Sequence, residues 1–137
     1  MIFLSYEDLK GDESMTAEKI FPEGEQRTDN FTGEVYHNVL FKEAAPLNTP
    51  IANVTFKPGG KTKWHSHEVG QVLLVTHGEG WYQEEGKDPE TIKAGDVINI
   101  GKDVVHWHGA KKDSELVHLA MTVGAIDWME PVEDTGI

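Results

Sequence analysis

Short hydrophobic runs, each closed by turn residues, fill the chain after residue 30. Ile51–Phe56 and Leu116–Val123 are two examples, rich in β-branched and aromatic residues and followed closely by Gly or Pro. The runs recur about every 8 to 12 residues, a spacing typical of antiparallel sandwiches and barrels. No segment shows the 3.6-residue period of a long amphipathic helix. The pattern therefore predicts an all-β protein with little helix.

The positions of the runs divide the chain into an extension and one domain. Residues 1–30 are polar and irregular, so we expect an N-terminal extension there, with a short helix over residues 15–20. Residues 31–137 are expected to form a single barrel domain, as suits a chain of 137 residues. The predicted strands cover residues 31–36, 38–41, 51–56, 62–67, 71–76, 81–84, 91–93, 97–100, 105–108 and 116–123.

An excess of acidic residues narrows the classes of partner. The chain has 24 Asp and Glu against 12 Lys and Arg, a formal net charge of −12. Such a surface repels nucleic-acid phosphates and anionic lipid headgroups, so we expect neither as a partner. The chain has no cysteine, which excludes thiolate chemistry, and no apolar run approaches the ~20 residues of a membrane span. We expect a cytoplasmic protein that acts on a small molecule.

Five of the 7 histidines fall where strands can bring them together. His65 and His67 are two residues apart on a predicted strand, so their side chains share one face. His106 and His108 repeat this pattern on a later strand, and His118 lies on the last long one. Imidazoles on one face suit a divalent transition metal, whereas a histidine in a plain core must satisfy two nitrogens. On spacing alone, a metal site and a set of structural histidines both stay open.

Gln71 opens the strand that follows the first histidine pair. An acid would be the commoner oxygen ligand there, but Glu68 falls in a turn and on the opposite parity. The run of residues 59–78, with His65 and His67 inside it, resembles the first motif of the cupins. In that motif the third ligand is usually Glu, so this chain departs from it at Gln71.

Residues 95–110 resemble the second cupin motif, which contains His106. Here Gly101 replaces the usual Pro, Asp103 replaces the usual Gly, and Ala110 replaces a closing Asn. The resemblance implies the cupin fold, a double-stranded β-helix or jelly-roll barrel that binds one divalent metal ion. The ligands that the two motifs imply are His65, His67, Gln71 and His106.

A narrower resemblance is to the small cupins that include manganese-dependent hydroxynitrile lyases, also described as carboxymuconolactone decarboxylase-like. In that group a glutamine completes the ligand set, so Gln71 is expected, and His108 and His118 match further active-site histidines. Small cupins are commonly dimers, so the resemblance implies a homodimer. Ala52, Val54 and Thr122 match positions that line the pocket. The stretches that carry the likeness are residues 31–33, 53–59, 64–67, 70–71, 105–110, 118–120 and 127–130.

Neutral ligands leave the charge of a bound divalent ion uncompensated, which makes it a strong Lewis acid. We therefore expect a metal-dependent lyase for small carbonyl compounds or 2-hydroxy nitriles, with His108 or His118 as general base. Manganese is the expected metal, with iron, nickel and zinc as alternatives. An iron-dependent dioxygenase and a cupin that binds small molecules or metal without catalysis are the alternative functions. The description 'carboxymuconolactone decarboxylase-like' is not evidence that the protein catalyses a decarboxylation.

The remaining aromatic and histidine residues are expected to be structural. Trp64 and Trp107 have the opposite strand parity to the histidines beside them, so they should face away from the metal. Trp128, near the C-terminus, is expected at a dimer contact. His37 and His77 lie apart from the ligand positions and are given no part in the site.

Overall fold

A computed structural model of the protein describes residues 19–42, 44 and 46–137. These residues form twelve strands and no helix, so the all-β prediction is confirmed. The helix predicted over residues 15–20 lies, but for its last two residues, outside the described part. The strands are β1 (Glu25–Arg27), β2 (Phe31–Thr32), β3 (Val35–Phe41), β4 (Ile51–Phe56), β5 (Lys61–Thr62), β6 (His65–His67), β7 (Gly70–Glu84), β8 (Glu90–Lys93), β9 (Val97–Ile100), β10 (His106–Ala110), β11 (Leu116–Val123) and β12 (Ile126–Trp128).

Two antiparallel sheets share strand β7 and enclose the interior. In the first sheet the strand order is β1-β3-β4-β11-β7-β9. In the second sheet the latter half of β7 lies between β8 and β10, and β10 pairs with both β5 and β6. The short strands β2 and β12 extend this sheet beyond β5 and β6. The result is a nearly closed jelly-roll barrel in which alternate side chains of each strand are directed inward.

Strand β7 runs unbroken from Gly70 to Glu84, where the sequence predicts two strands. The prediction of a break at residues 78–80 is wrong, because Gly78 bends the strand and does not end it. Its φ is +79°, and a bulge in the pairing with β11 lies just before it. The bend carries the strand from one sheet into the other, and a Cβ at residue 78 would lie 1.8 Å from the carbonyl oxygen of Glu115.

The single strand predicted over residues 62–67 is in fact two, β5 and β6. Between them the backbone leaves the ladder of β10 and bonds elsewhere: the amide of Lys63 donates to Asn30 O, and that of Trp64 donates to Glu130 O. This break turns β6 toward β12 while keeping it beside β10.

The apolar core lies between the sheets and passes directly into a group of histidines. Phe56, fully buried, has its ring 5.8 Å from that of His108 and 5.3 Å from that of His118. The buried apolar cluster consists of Val35, Val54, Phe56, Leu73, Val75, Tyr82, Ile92, Ile100, Ala110, Leu116 and Ala120.

A tight turn just before β10 holds the neighbouring strand β6 in place. Asp103, in the position where the second cupin motif has Gly, adopts a φ of +62°, a left-handed conformation that Asp tolerates better than most residues. Its backbone amide donates a 2.9 Å hydrogen bond to the carbonyl of His67. The turn before β10 is thereby tied to the strand that carries the first histidine pair.

Among the described residues, no helix is long and apolar enough to cross a membrane.

Replacement of Gly78 by Ala is expected to destabilise the fold far more than the same change at Gly86. Both glycines have positive φ, which costs roughly 1 kcal/mol for Ala, but Gly86 has no atom within 4 Å of a built Cβ. At Gly78 overpacking adds about 1–3 kcal/mol. Denaturant unfolding of both variants measures the difference. Equal losses would show that the bend does not need a glycine.

Candidate metal centre

Strands β6 and β10 bring three histidines to one point of the interior. His106 lies directly opposite His65 in the antiparallel pairing, and the two-residue period puts His67 on the same face as His65. The three ring centroids are 4.2 to 5.1 Å apart. With His108 and His118 they form a cluster of five imidazoles, each at most 3% exposed.

Backbone carbonyls fix the tautomers of His65 and His106. Nδ1 of His65 is 2.8 Å from Lys63 O, and Nδ1 of His106 is 2.9 Å from Val104 O. Because a carbonyl oxygen can only accept, each Nδ1 must carry the hydrogen, and each Nε2 is left as an acceptor. Nε2 of His106 is buried with no protein partner among the described residues. A metal-binding histidine is anchored in the same way, by a hydrogen bond from its other nitrogen.

Gln71 reaches the cluster with its amide oriented by Thr122. Its Nε2 donates to Thr122 Oγ1 at 2.8 Å, so Oε1 faces His67, whose Nε2 is 3.0 Å away. Two donor atoms at right angles on an octahedral ion, each about 2.1 Å from it, lie about 3 Å apart. The spacing of His67 Nε2 and Gln71 Oε1 therefore fits two neighbouring ligands.

His108 and His118 form a hydrogen-bonded pair beside the first three rings. Nδ1 of His108 and Nε2 of His118 are 3.1 Å apart. The outer nitrogens, Nε2 of His108 and Nδ1 of His118, are buried and lack protein partners in the described chain. The ring of His108 is 5.4 Å from His65 and 5.6 Å from His106. The pair thus extends the cluster away from β6.

The structure brings His108 nearer to the centre than the sequence predicts. Donor atoms of His65, His106 and His108 lie within 4.8 Å of one another, a grouping that could hold a metal ion. His67, which the motifs place in the ligand set, directs Nε2 to Gln71 instead. His65 and His106 thus belong to both arrangements, which differ in whether His67 with Gln71 or His108 completes the set.

Burial depresses the basicity of the whole cluster. It lowers the pKa of His65 to about 3, with the neighbouring His106 adding to the effect, and the pKa of His106 to about 4. Burial also lowers the pKa of His118 to about 4 and that of His108 well below its ordinary value. The cluster is therefore neutral near pH 7, which is the protonation state that a metal requires of its imidazole ligands.

A cavity of about 270 Å³ opens onto the cluster. Its buried lining includes His65, His67, Gln71, His108 and His118. Ala52, Val54 and Thr122, matched in the sequence to pocket positions, also line it. Most of the remaining wall is apolar, as in typical small-molecule sites.

Several lining residues were not foreseen from the sequence, Arg27, His37 and Trp128 among them. Arg27 and His37 lie on the cavity wall, and Trp128 packs on His65 with ring centroids 4.7 Å apart. The pairing of β12 with β6 places Trp128 at the cavity wall, and its expected part in a dimer contact stays a prediction. For His37 a signal was available: it shares a strand face with the fully buried Val35.

The two tryptophans beside the histidines face away from the centre, as predicted. Trp64 and Trp107 line a separate cleft on the other side of the sheet. Trp107 is held there by a 2.7 Å hydrogen bond from its Nε1 to Gln83 Oε1. Their alternation with the histidines is a direct result of the strand period.

Comparison with known proteins gives a consistent family match. The family described as Cupin domain matches residues 52–122. A relative called (R)-mandelonitrile lyase, from Granulicella tundricola, is 44% identical over 81% of this chain and 88% of its own length. The crystal structure of a cupin-like protein from Thermotoga maritima superposes with a TM-score of 0.82 at 42% identity, over 85% of this chain and 92% of that one.

A second structure from Thermotoga maritima, described as a predicted oxalate decarboxylase, has a TM-score of 0.64 and 26% identity. The match covers 77% of this chain and 91% of that one. Relatives of this kind show that one barrel carries more than one named chemistry, so activity has to be argued from the site.

The metal-free protein is expected to lose stability as the pH falls from 7 to 5. The unfolded chain takes up protons near the ordinary histidine pKa of 6.5, whereas folded His65, His106 and His118 stay neutral until about pH 4 or below. The unfolded state therefore binds more protons in this window, so stability present above pH 6.5 is lost as the pH falls. The slope should approach about 1.4 kcal/mol per pH unit for each buried histidine.

Denaturant unfolding at pH 8, 7, 6 and 5 measures this slope, above the range where carboxylates titrate. The double variant His108→Asn/His118→Asn, which removes two of the groups, should show a shallower dependence. A flat profile in the parent protein would mean that the histidines are not buried as neutral groups.

Proposed function

The chain belongs to the cupin family, and from the histidine cluster inside its barrel we propose that it is a metal-dependent lyase. Its substrates would be small carbonyl compounds or 2-hydroxy nitriles. The observation that carries the proposal is the pair of acceptor nitrogens on His65 and His106, fixed by carbonyl hydrogen bonds and directed into a buried cluster. The 44% identity to a protein named (R)-mandelonitrile lyase supports the choice of reaction.

We assign the metal to His65, His67, Gln71 and His106, with manganese as the expected ion. Imidazole nitrogens and an amide oxygen suit first-row divalent ions and leave the ionic charge uncompensated. A cation bound there would act as a Lewis acid that polarises a substrate oxygen. Thr122 is a positioning residue in this scheme, because its hydroxyl accepts from the amide nitrogen and leaves Oε1 of Gln71 facing the cluster.

Metal binding would require a change of tautomer at His67. As a hydrogen-bond donor to Gln71 Oε1, His67 carries its hydrogen on Nε2 and leaves Nδ1 buried and unpartnered. As a ligand, it carries the hydrogen on Nδ1 and presents a lone pair at Nε2, beside another acceptor 3.0 Å away. Two acceptors at this distance repel each other unless a cation lies between them. A bound ion would therefore select the tautomer.

His108 is our choice for the proton-transfer residue, with His118 behind it. When Nδ1–H of His108 donates to Nε2 of His118, Nε2 of His108 keeps a lone pair facing the centre. Because burial keeps both rings neutral, this nitrogen can accept a proton from a bound hydroxyl group. Because the buried pair is weakly basic, it releases that proton readily and does not remain protonated.

The reaction balances with these groups alone. In the cleavage of a 2-hydroxy nitrile, the hydroxyl proton moves to His108, the carbon–cyanide bond breaks, and its electron pair leaves with cyanide while a carbonyl forms. The same proton, returned from His108, gives hydrogen cyanide. The reverse sequence adds cyanide to a carbonyl compound.

Homodimer formation stays a prediction, since the described chain is a single copy.

Release of cyanide from racemic mandelonitrile tests the proposal. Protein stripped with a chelator and then loaded with Mn²⁺ should release cyanide at least about tenfold faster than the stripped protein, a difference of about 1.4 kcal/mol in the barrier. His77→Gln serves as a control, because His77 is half-exposed and lies outside the cavity lining. Equal rates with and without metal would contradict the proposal, and oxygen consumption in the same assay would favour a dioxygenase.

The variants His108→Asn and His67→Asn separate the two arrangements of ligands. We expect His108→Asn to keep its metal while kcat falls about 10²- to 10⁴-fold, the usual range for loss of a general base. We expect His67→Asn to lose most of its metal, since a ligand is removed. Elemental analysis and kinetics on both proteins check this. Loss of metal in His108→Asn but not in His67→Asn would move His108 into the ligand set.

A further inference from the structure

The described residues that line the cavity include no acidic side chain, although the protein is strongly acidic. The chain carries 24 Asp and Glu, and none of those in the part of the chain that the structure describes is among the lining residues. Among the described lining residues, Arg27 is the one with a permanently charged side chain, in addition to the histidines. A cavity with this bias favours ligands of negative charge.

Arg27 lies at the outer part of this wall. It is half-buried at the end of β1, which pairs only with β3 in the described chain. Its guanidinium carbon is 6.0 Å from the centre of the Phe31 ring. Among residues 19–42, 44 and 46–137, no carboxylate lies within salt-bridge distance of it. The guanidinium fork is therefore available to a ligand.

A row of aromatic rings connects Arg27 with the histidine cluster. The ring of Phe31 is 6.0 Å from that of Trp128, and Trp128 in turn is 4.7 Å from His65. Ile51, Ala52, Val54 and Ile126 provide apolar lining as well. The site therefore has a charged outer part, an apolar middle and a polar buried end.

We propose that the natural substrate of this cavity is an organic acid, with its carboxylate paired to Arg27 and its reacting oxygen at the histidine cluster. The planar fork of Arg matches a carboxylate through two parallel hydrogen bonds. A volume of about 270 Å³ equals the share of about nine liquid water molecules, so a ligand of about nine or ten non-hydrogen atoms fits the cavity. The inference rests on the proposed function in taking the histidines as the reacting end.

Paired probes of the same shape test the charge preference directly. Phenylacetate and phenylacetamide both have about ten non-hydrogen atoms, the size that the cavity volume allows. Calorimetric titration into the purified, metal-loaded protein should show phenylacetate binding about tenfold more tightly, within the range of hydrogen bonds to charged groups. Arg27→Gln should abolish that preference, and Arg27→Lys should keep part of it.

Lys102→Gln is the matched control, because it removes the same charge from an exposed residue outside the cavity lining. It should leave the preference for phenylacetate unchanged. Thermal unfolding of each variant checks that β1 is still in place. If Arg27→Gln retains the preference, the carboxylate binds at the histidine end and the inference is overturned. The inference also fails if the parent protein binds both probes equally.

Failure of this inference differs from failure of the proposed function. Arg27-dependent binding of phenylacetate, in a protein that releases no cyanide from mandelonitrile, would keep the organic-acid site and reject the lyase. Cyanide release without any preference for phenylacetate would keep the lyase and reject the role of Arg27.

Discussion

The structure depends on how its buried imidazole nitrogens are satisfied. A buried polar atom without a partner costs about 1–3 kcal/mol, and the described cluster holds four such nitrogens, on His67, His106, His108 and His118. The carbonyl group of Lys63 satisfies Nδ1 of His65, and that of Val104 satisfies Nδ1 of His106. In both rings the other nitrogen, Nε2, is directed inward. A cation is the partner that can satisfy several converging lone pairs at once. The same geometry that is costly without an ion is therefore well suited to bind one.

Few specialised residues are needed to hold this arrangement in the fold. The bend at Gly78 lets one long strand belong to both sheets, and the turn at Asp103 ties the first histidine strand to the second. The pairing of His65 with His106 then follows from strand register alone. Farther out, Thr122 and His118, both on β11, extend the polar network from the first sheet, where Thr122 bonds to Gln71 and His118 bonds to His108.

Strand parity made much of the site predictable. The two-residue period put His65 and His67 on one face and the neighbouring tryptophans on the other, and the structure agrees. Register and bending were harder, because the sequence shows a glycine cluster at residues 78–80 without showing whether the strand ends or turns there. The near approach of His108 to the centre depends on how two strands pack, which spacing along one strand does not fix.

The residues at the outer part of the cavity were the hardest to predict from the sequence. Arg27 lies in the segment predicted as an extension, and the pairing of β1 with β3, whose residues are 8 to 12 positions further along the chain, brings it to the cavity wall. Trp128 is turned inward by a pairing with β6 across some 60 residues of chain. Contacts of this kind follow from topology, so the sequence motifs, which cover the central strands, gave no indication of them.

Metal content of the purified protein, measured by elemental mass spectrometry, tests the central claim most directly. About one divalent ion per chain is expected after reconstitution with Mn²⁺, and little in a His65→Asn/His106→Asn variant that remains folded by thermal unfolding. A parent protein that binds no ion from Mn²⁺, Fe²⁺ or Zn²⁺, or a variant that binds as much as the parent, would contradict the claim that these nitrogens form a metal site.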